Sequence, residues 1–165
     1  MRPRHDCRMK QYMKQESLLN DIESLVDVGD CFVLRVSGYS MLPLLGHGGD
    51  DIIVRRIAAT DQDIMHRIAM FRTPQKKIIV HRVIVVNGDE VILQGDGNLY
   101  EVERCSRADI VGVVESVRRR SGREVSCTTN KWRRCERLWL SQPLIVRRYL
   151  LAIMRRWFDF KNKTR

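Results

Sequence analysis

The sequence lacks several things, and each lack closes off a class of protein. It has no apolar run of the roughly 18 residues that a membrane-crossing helix needs, so no transmembrane span is expected. Met1-Arg2-Pro3-Arg4 is basic, but no apolar core follows it, so no secretory signal is expected either, and a cytoplasmic setting is the simplest reading. The cysteines, Cys7, Cys31, Cys105, Cys127 and Cys135, are odd in number and include no Cys-x-x-Cys pair. This argues against a disulfide framework or a zinc site and predicts free thiols in a reducing compartment. His5, His47 and His66 are scattered without partner spacing, so no metal and no cofactor are expected. Aromatic residues are only 7% of the chain and are not spaced as a stacking platform. No helix-turn-helix signature is present, and nucleic acid is not an expected partner.

Positive charge is missing from most of the chain. Residues 1–117 hold 15 Lys+Arg against 17 Asp+Glu, whereas residues 118–165 hold 15 against 3. The basic excess of the whole protein therefore sits in its last third, which favours phosphate-bearing surfaces there. With 165 residues and 44% hydrophobic content, the chain is long enough for one domain with a real core and an appendage. Three regions are expected: an N-terminal helix over 10–28, a β domain over 31–117, and a basic linker with an amphipathic helix over 118–165.

Apolar residues Met13, Leu18, Leu19, Ile22, Leu25 and Val26 recur at spacings of three and four, which predicts the first helix. Short β-branched runs then follow one another: 31–36, 51–56, 68–72, 78–86, 90–94 and 110–114, with turns between them. Asn87-Gly88 is a hairpin turn of the preferred type. Arg118-Arg119-Arg120-Ser121-Gly122-Arg123 reads as a polar linker. Over 144–160, Leu144, Leu151, Met154, Trp157 and Phe158 alternate with Arg147, Arg148, Arg155 and Arg156. That pattern suits either a helix lying on an anionic membrane surface or one packed on the domain.

The chemistry-bearing stretch is Val36-Ser37-Gly38-Tyr39-Ser40-Met41-Leu42-Pro43, where a strand ends in a turn around a serine. A nucleophilic serine needs such a fixed backbone and nearby amides. Downstream lie Ile78-Ile79-Val80-His81-Arg82-Val83-Ile84, with a histidine in a strand, and the polar turn Gln94-Gly95-Asp96-Gly97-Asn98. Serine, histidine and acid together are raw material for nucleophilic catalysis.

Gly38-Tyr39-Ser40-Met41-Leu42-Pro43, Gly49-Asp50, Val80-His81-Arg82-Val83-Ile84, Gly95-Asp96-Gly97-Asn98 and Ile110-Val111-Gly112-Val113 resemble the successive boxes of the signal peptidase clan, which also holds the self-cleaving SOS repressors. The resemblance covers about residues 31–115. It implies a mainly β fold, a coiled, mostly antiparallel domain with flanking N-terminal and C-terminal helices. It also implies a serine endopeptidase that removes a leader or signal-like segment from a peptide or protein precursor.

Histidine where many members carry lysine is similar to the archaeal, endoplasmic-reticulum and sporulation-type branch. By resemblance Ser40 is the nucleophile and His81 the base, with Lys76 and Lys77 as weaker alternatives. Asp96 is expected as the orienting acid, and Glu101 is the other candidate. Gly38, Met41 and Pro43 are expected around the substrate and the oxyanion. Two other functions stay open: an inactive β module that binds an extended peptide, and a self-cleaving regulator. Members of this branch hold an N-terminal span that this sequence does not show. Membrane contact, if made peripherally, would fall to residues 144–160.

Overall fold

The computed structural model describes Ile22 and residues 26–46, 49–61 and 63–163. The N-terminal helix expected over 10–28 therefore lies almost wholly outside the described residues, as do His5 and His47. Ile22 and Val26 are described, and both are buried in the core.

The described strands are β1 (Cys31–Arg35), β2 (Asp51–Arg56), β3 (Ile68–Arg72), β4 (Ile78–Asn87), β5 (Glu90–Gln94), β6 (Val102–Ser106), β7 (Ile110–Arg118) and β8 (Glu124–Ser126). They form one antiparallel sheet in the order β1-β2-β7-β3-β4-β5-β6, with β8 paired to β7. The mainly β expectation holds. Each strand carries β-branched or aromatic residues that fit a pleated surface. Alternation along the strands serves two cores, because successive side chains point to opposite faces. Phe32, Leu34, Ile68 and Met70 join Met41, Leu45, Ile52 and Val114 in one. Ala69 and Phe71 join Val83, Val91, Leu93 and Val113 in the other.

Three features depart from the sequence reading. β7 continues to Arg118, well past the expected end at 114. β6 and β8 were not expected, because Val-Glu-Arg-Cys-Ser and Glu-Val-Ser carry charges and little apolar signal; β6 is an edge of the sheet. The stretch read as a linker is the β7–β8 hairpin turn. There the Arg119 N–H donates to the carbonyl of Arg123 at 2.8 Å, and Gly122 takes φ 82°. A positive φ of that size suits glycine alone at no steric cost.

Two helices follow, α1 (Asn130–Leu140) and α2 (Leu144–Lys163). Thr129 caps α1 by accepting the Trp132 N–H at 3.3 Å, which satisfies one of the free donors of a helix start. Trp132 drops into the first core. Leu42, Trp139 and Leu151 form a further buried cluster with Tyr39, Leu99, Met154 and Phe158 around it. The basic last third is thus packed on the β domain, against the turn that carries Ser40.

Cys31 is disulfide-bonded, which corrects the expectation of a free thiol at that position. Cys105, Cys127 and Cys135 are free. Burial pushes the Cys105 and Cys127 thiols up to about 12, so neither offers a thiolate near neutral pH.

Candidate active site

The turn after β1 is fastened at both ends before it presents anything. The Val36 N–H donates to the carbonyl of Asp50 at 2.9 Å. The buried Asp50 carboxylate accepts the Gly46 N–H at 2.8 Å and also pairs with Arg119. Arg119 in turn donates to the carbonyl of Leu44 at 2.8 Å and stacks over Trp132. Apolar anchors Met41, Leu42, Leu44 and Leu45 are all buried. Between them Gly38 takes φ 87°, and Ser40 sits half-buried at the head of the turn.

A second turn, after β5, presses against the first. Its Gly97 N–H donates to the carbonyl of Ser40 at 2.7 Å. Two bare Cα atoms make this approach feasible. A Cβ on Gly95 would stand 2.4 Å from the Ser40 carbonyl oxygen and 3.0 Å from His81 Nε2. A Cβ on Gly97 would stand 2.5 Å from the Tyr39 carbonyl oxygen. Gly95 therefore lies between the serine turn and the imidazole, with no room for a side chain.

His81 is held in β4 opposite Ala69 of β3 and is 5% exposed. Its ring lies tilted to Phe71, with centroids 6.1 Å apart. Nε2 is the ring nitrogen beside Gly95, while Nδ1 is buried with no hydrogen-bond partner among the described residues. Burial lowers the imidazole below its ordinary 6.5, and the nearby Asp96 charge works the other way.

Asp96 does not take the place beside Nδ1 expected of an orienting acid. Both of its carboxylate oxygens accept from Arg82, Nε and Nη2, each at 2.8 Å. Arg82 completes its donors with the His66 carbonyl at 2.8 Å and with Glu136 of α1 at 2.9 Å. Burial alone would lower the Arg82 guanidinium, but hydrogen bonds and charge from Asp96 and Glu136 outweigh it and raise it, so Arg82 stays charged. Glu101 is exposed, accepts from the Asn98 side chain at 2.9 Å and lines the same cleft as His81. Lys76 and Lys77 sit exposed at the tip of the β3–β4 hairpin, outside the cleft lining, and His66 is also outside it, its carbonyl accepting from Arg82.

Ser40, His81, Gly38 and Met41 line one cleft of about 570 Å³, floored by apolar residues such as Leu34, Leu45, Ile52 and Ile78. Arg35, Glu101 and Glu103 supply charge to the same lining. Pro43 lies instead in a neighbouring groove with Trp132 and Trp139. The N–H groups of Ser40 and Met41 donate to no other described residue. Among the described residues no group of three His, Cys, Asp or Glu side chains is placed to hold a metal.

Sequence reasoning missed a clamp from the C-terminal helices. Trp139 Nε1 and Arg147 both donate to the Asp96 carbonyl, at 3.0 and 2.9 Å, and Arg155 donates to that of Gly97 at 2.8 Å. Tyr39 donates to Asp159. The tail's helical spacing was legible, but nothing local in it pointed to the turn it grips.

The described strands form an antiparallel β domain in which a turn serine and a strand histidine line one cleft. The Peptidase S24-like family matches residues 7–115, and the chain belongs to that family. The family includes serine peptidases and self-cleaving regulators. No curated protein matches the chain.

Proposed function

We propose that the protein is a serine endopeptidase that cleaves a leader or signal-like segment from a peptide or protein precursor through a Ser40–His81 dyad. The observation that carries this reading is the wedge of Gly95, whose absent side chain leaves the Ser40 turn and His81 Nε2 on either side of one Cβ-sized gap. In this mechanism the Ser40 hydroxyl attacks the scissile carbonyl as Nε2 takes its proton. The same nitrogen returns that proton to the leaving amine, and water then repeats the sequence on the acyl-enzyme. The N–H groups of Ser40 and Met41 receive the oxyanion. Among the described residues no acid hydrogen-bonds the imidazole; burial beside Phe71 and the backbone of β4 orients it, while Asp96 is held by Arg82. The apolar floor favours an apolar substrate side chain next to the scissile bond.

The test is a peptide-library digest read by mass spectrometry. Wild type is expected to cut after or before an apolar residue, and Ser40→Ala is expected to lose at least about 1,000-fold in rate with its circular dichroism unchanged. Undiminished cleavage by Ser40→Ala would overturn the proposal. Cleavage of the protein's own chain during incubation without substrate would instead assign it to the self-cleaving kind.

A further inference from the structure

The helix α2 has two apolar faces, and the clamp on the cleft uses only one. Arg147, Leu151, Met154 and Phe158 recur at spacings of four, three and four and turn toward the sheet. On the opposite arc Ile145, Tyr149, Ile153, Trp157 and Phe160 recur at spacings of four and three, each between 53% and 70% exposed. Val146 and Leu150 widen that arc, and Arg148 and Arg156 stand exposed along it. Soluble proteins rarely show water a continuous apolar strip along a whole helix, and such strips mark docking surfaces.

We infer that this face of α2 docks on an anionic lipid surface. The occupant follows from the charge. The last 48 residues carry 15 Lys+Arg against 3 Asp+Glu, and Arg148 and Arg156 are exposed on α2 itself. A second copy of the chain would bring two such fields into contact, whereas phosphate headgroups complement one. Arginines beside an apolar strip bury their stems while the guanidinium stays at headgroup level, and tyrosine and tryptophan prefer the same depth. None of the described helices is long and apolar enough to cross a membrane, so the contact is in-plane. Because the inner face of α2 holds the carbonyls of Asp96 and Gly97, docking fixes the cleft at a set height above the lipid. The inference goes beyond the peptidase reading and does not depend on it, since binding is measured without cleavage.

The experiment is flotation of the full chain with phosphatidylcholine vesicles prepared with and without phosphatidylglycerol, alongside Trp157 emission. The protein is expected to float only with the anionic vesicles, with a blue shift, and to be released by high salt. The triple variant Ile145→Glu, Tyr149→Glu, Ile153→Glu is expected to bind at least about tenfold more weakly, with an unchanged unfolding midpoint. Arg148→Glu with Arg156→Glu keeps the apolar strip and is expected to lose the preference for anionic lipid. Equal flotation of the triple variant overturns the inference. So does a wild type that fails to float, or one that is a dimer by light scattering and becomes a monomer in the triple variant.

Discussion

His81 and Asp96 are not paired as in a conventional triad, although both occupy the expected positions in the chain. The imidazole is buried, and burial opposes its charged form, so its titration falls below 6.5. A general base works only when neutral, and a lowered pKa keeps it neutral into mild acid. On the proposed mechanism kcat/KM should therefore stay level from neutral pH to below 6.5 before falling, as a pH–rate profile on a cleaved peptide would report. The same shift acts on stability with the opposite sense to a salt-bridged histidine. Above 6.5 it costs nothing; below it the unfolded chain takes up a proton more readily than the fold, so stability declines on acidification.

Asp96 makes a separate prediction at this scale. With Arg82 and Asp96 only 3% and 2% exposed at their side chains, removing the carboxylate leaves a buried guanidinium short of its partner. Asp96→Ala should lose about 3–5 kcal/mol in urea unfolding. An acid that served the imidazole alone would instead reduce turnover with stability unchanged.

At the scale of elements, the site is two turns meeting without side chains between them. β1 ends in one, β5 in the other, and the sheet order sets them side by side only through β2, β7, β3 and β4. Gly95 and Gly97 are the contact points. Gly95→Ala would force a Cβ into the Ser40 carbonyl at 2.4 Å, with backbone on one side and the imidazole on the other. We expect the chain to fold and to lose at least about tenfold in rate, since misplacing a nucleophile by an ångström can cost 100-fold. Cleavage assays beside thermal unfolding would separate the two effects. The glycines were visible in the sequence as a turn. Their role as a close approach was not, because it depends on a turn some 55 residues earlier.

Over the whole molecule, the C-terminal helices and the sheet form one packed body. Trp132 lies in the first core with Phe32 and Met70, Glu136 completes Arg82, and Trp139 and Arg147 hold Asp96. Helix and sheet share buried partners, so neither should unfold alone. The expected outcome in urea is one transition, with tryptophan emission from the helices coinciding with far-ultraviolet circular dichroism from the sheet. A separate early loss of the tryptophan signal would show the helices to be an independent unit.

The strands of the core, the turn serine, the strand histidine and the basic helical tail were all readable from local signals. β-branched runs, alternation, glycine-bearing turns and apolar spacing act over a few residues and are written in order along the chain. β6 and β8 escaped because edge strands are solvated and need little apolar content. Tertiary structure alone decided three things. It gave Asp96 to Arg82 rather than to His81, it turned an arginine-rich linker into a hairpin, and it packed the tail against the Ser40 and Asp96 turns. Each turns on which distant groups compete for a buried charge or a free carbonyl. A carboxylate 15 residues from an imidazole and 14 from a guanidinium cannot declare its partner by spacing; the sheet register does, by turning alternate side chains to opposite faces.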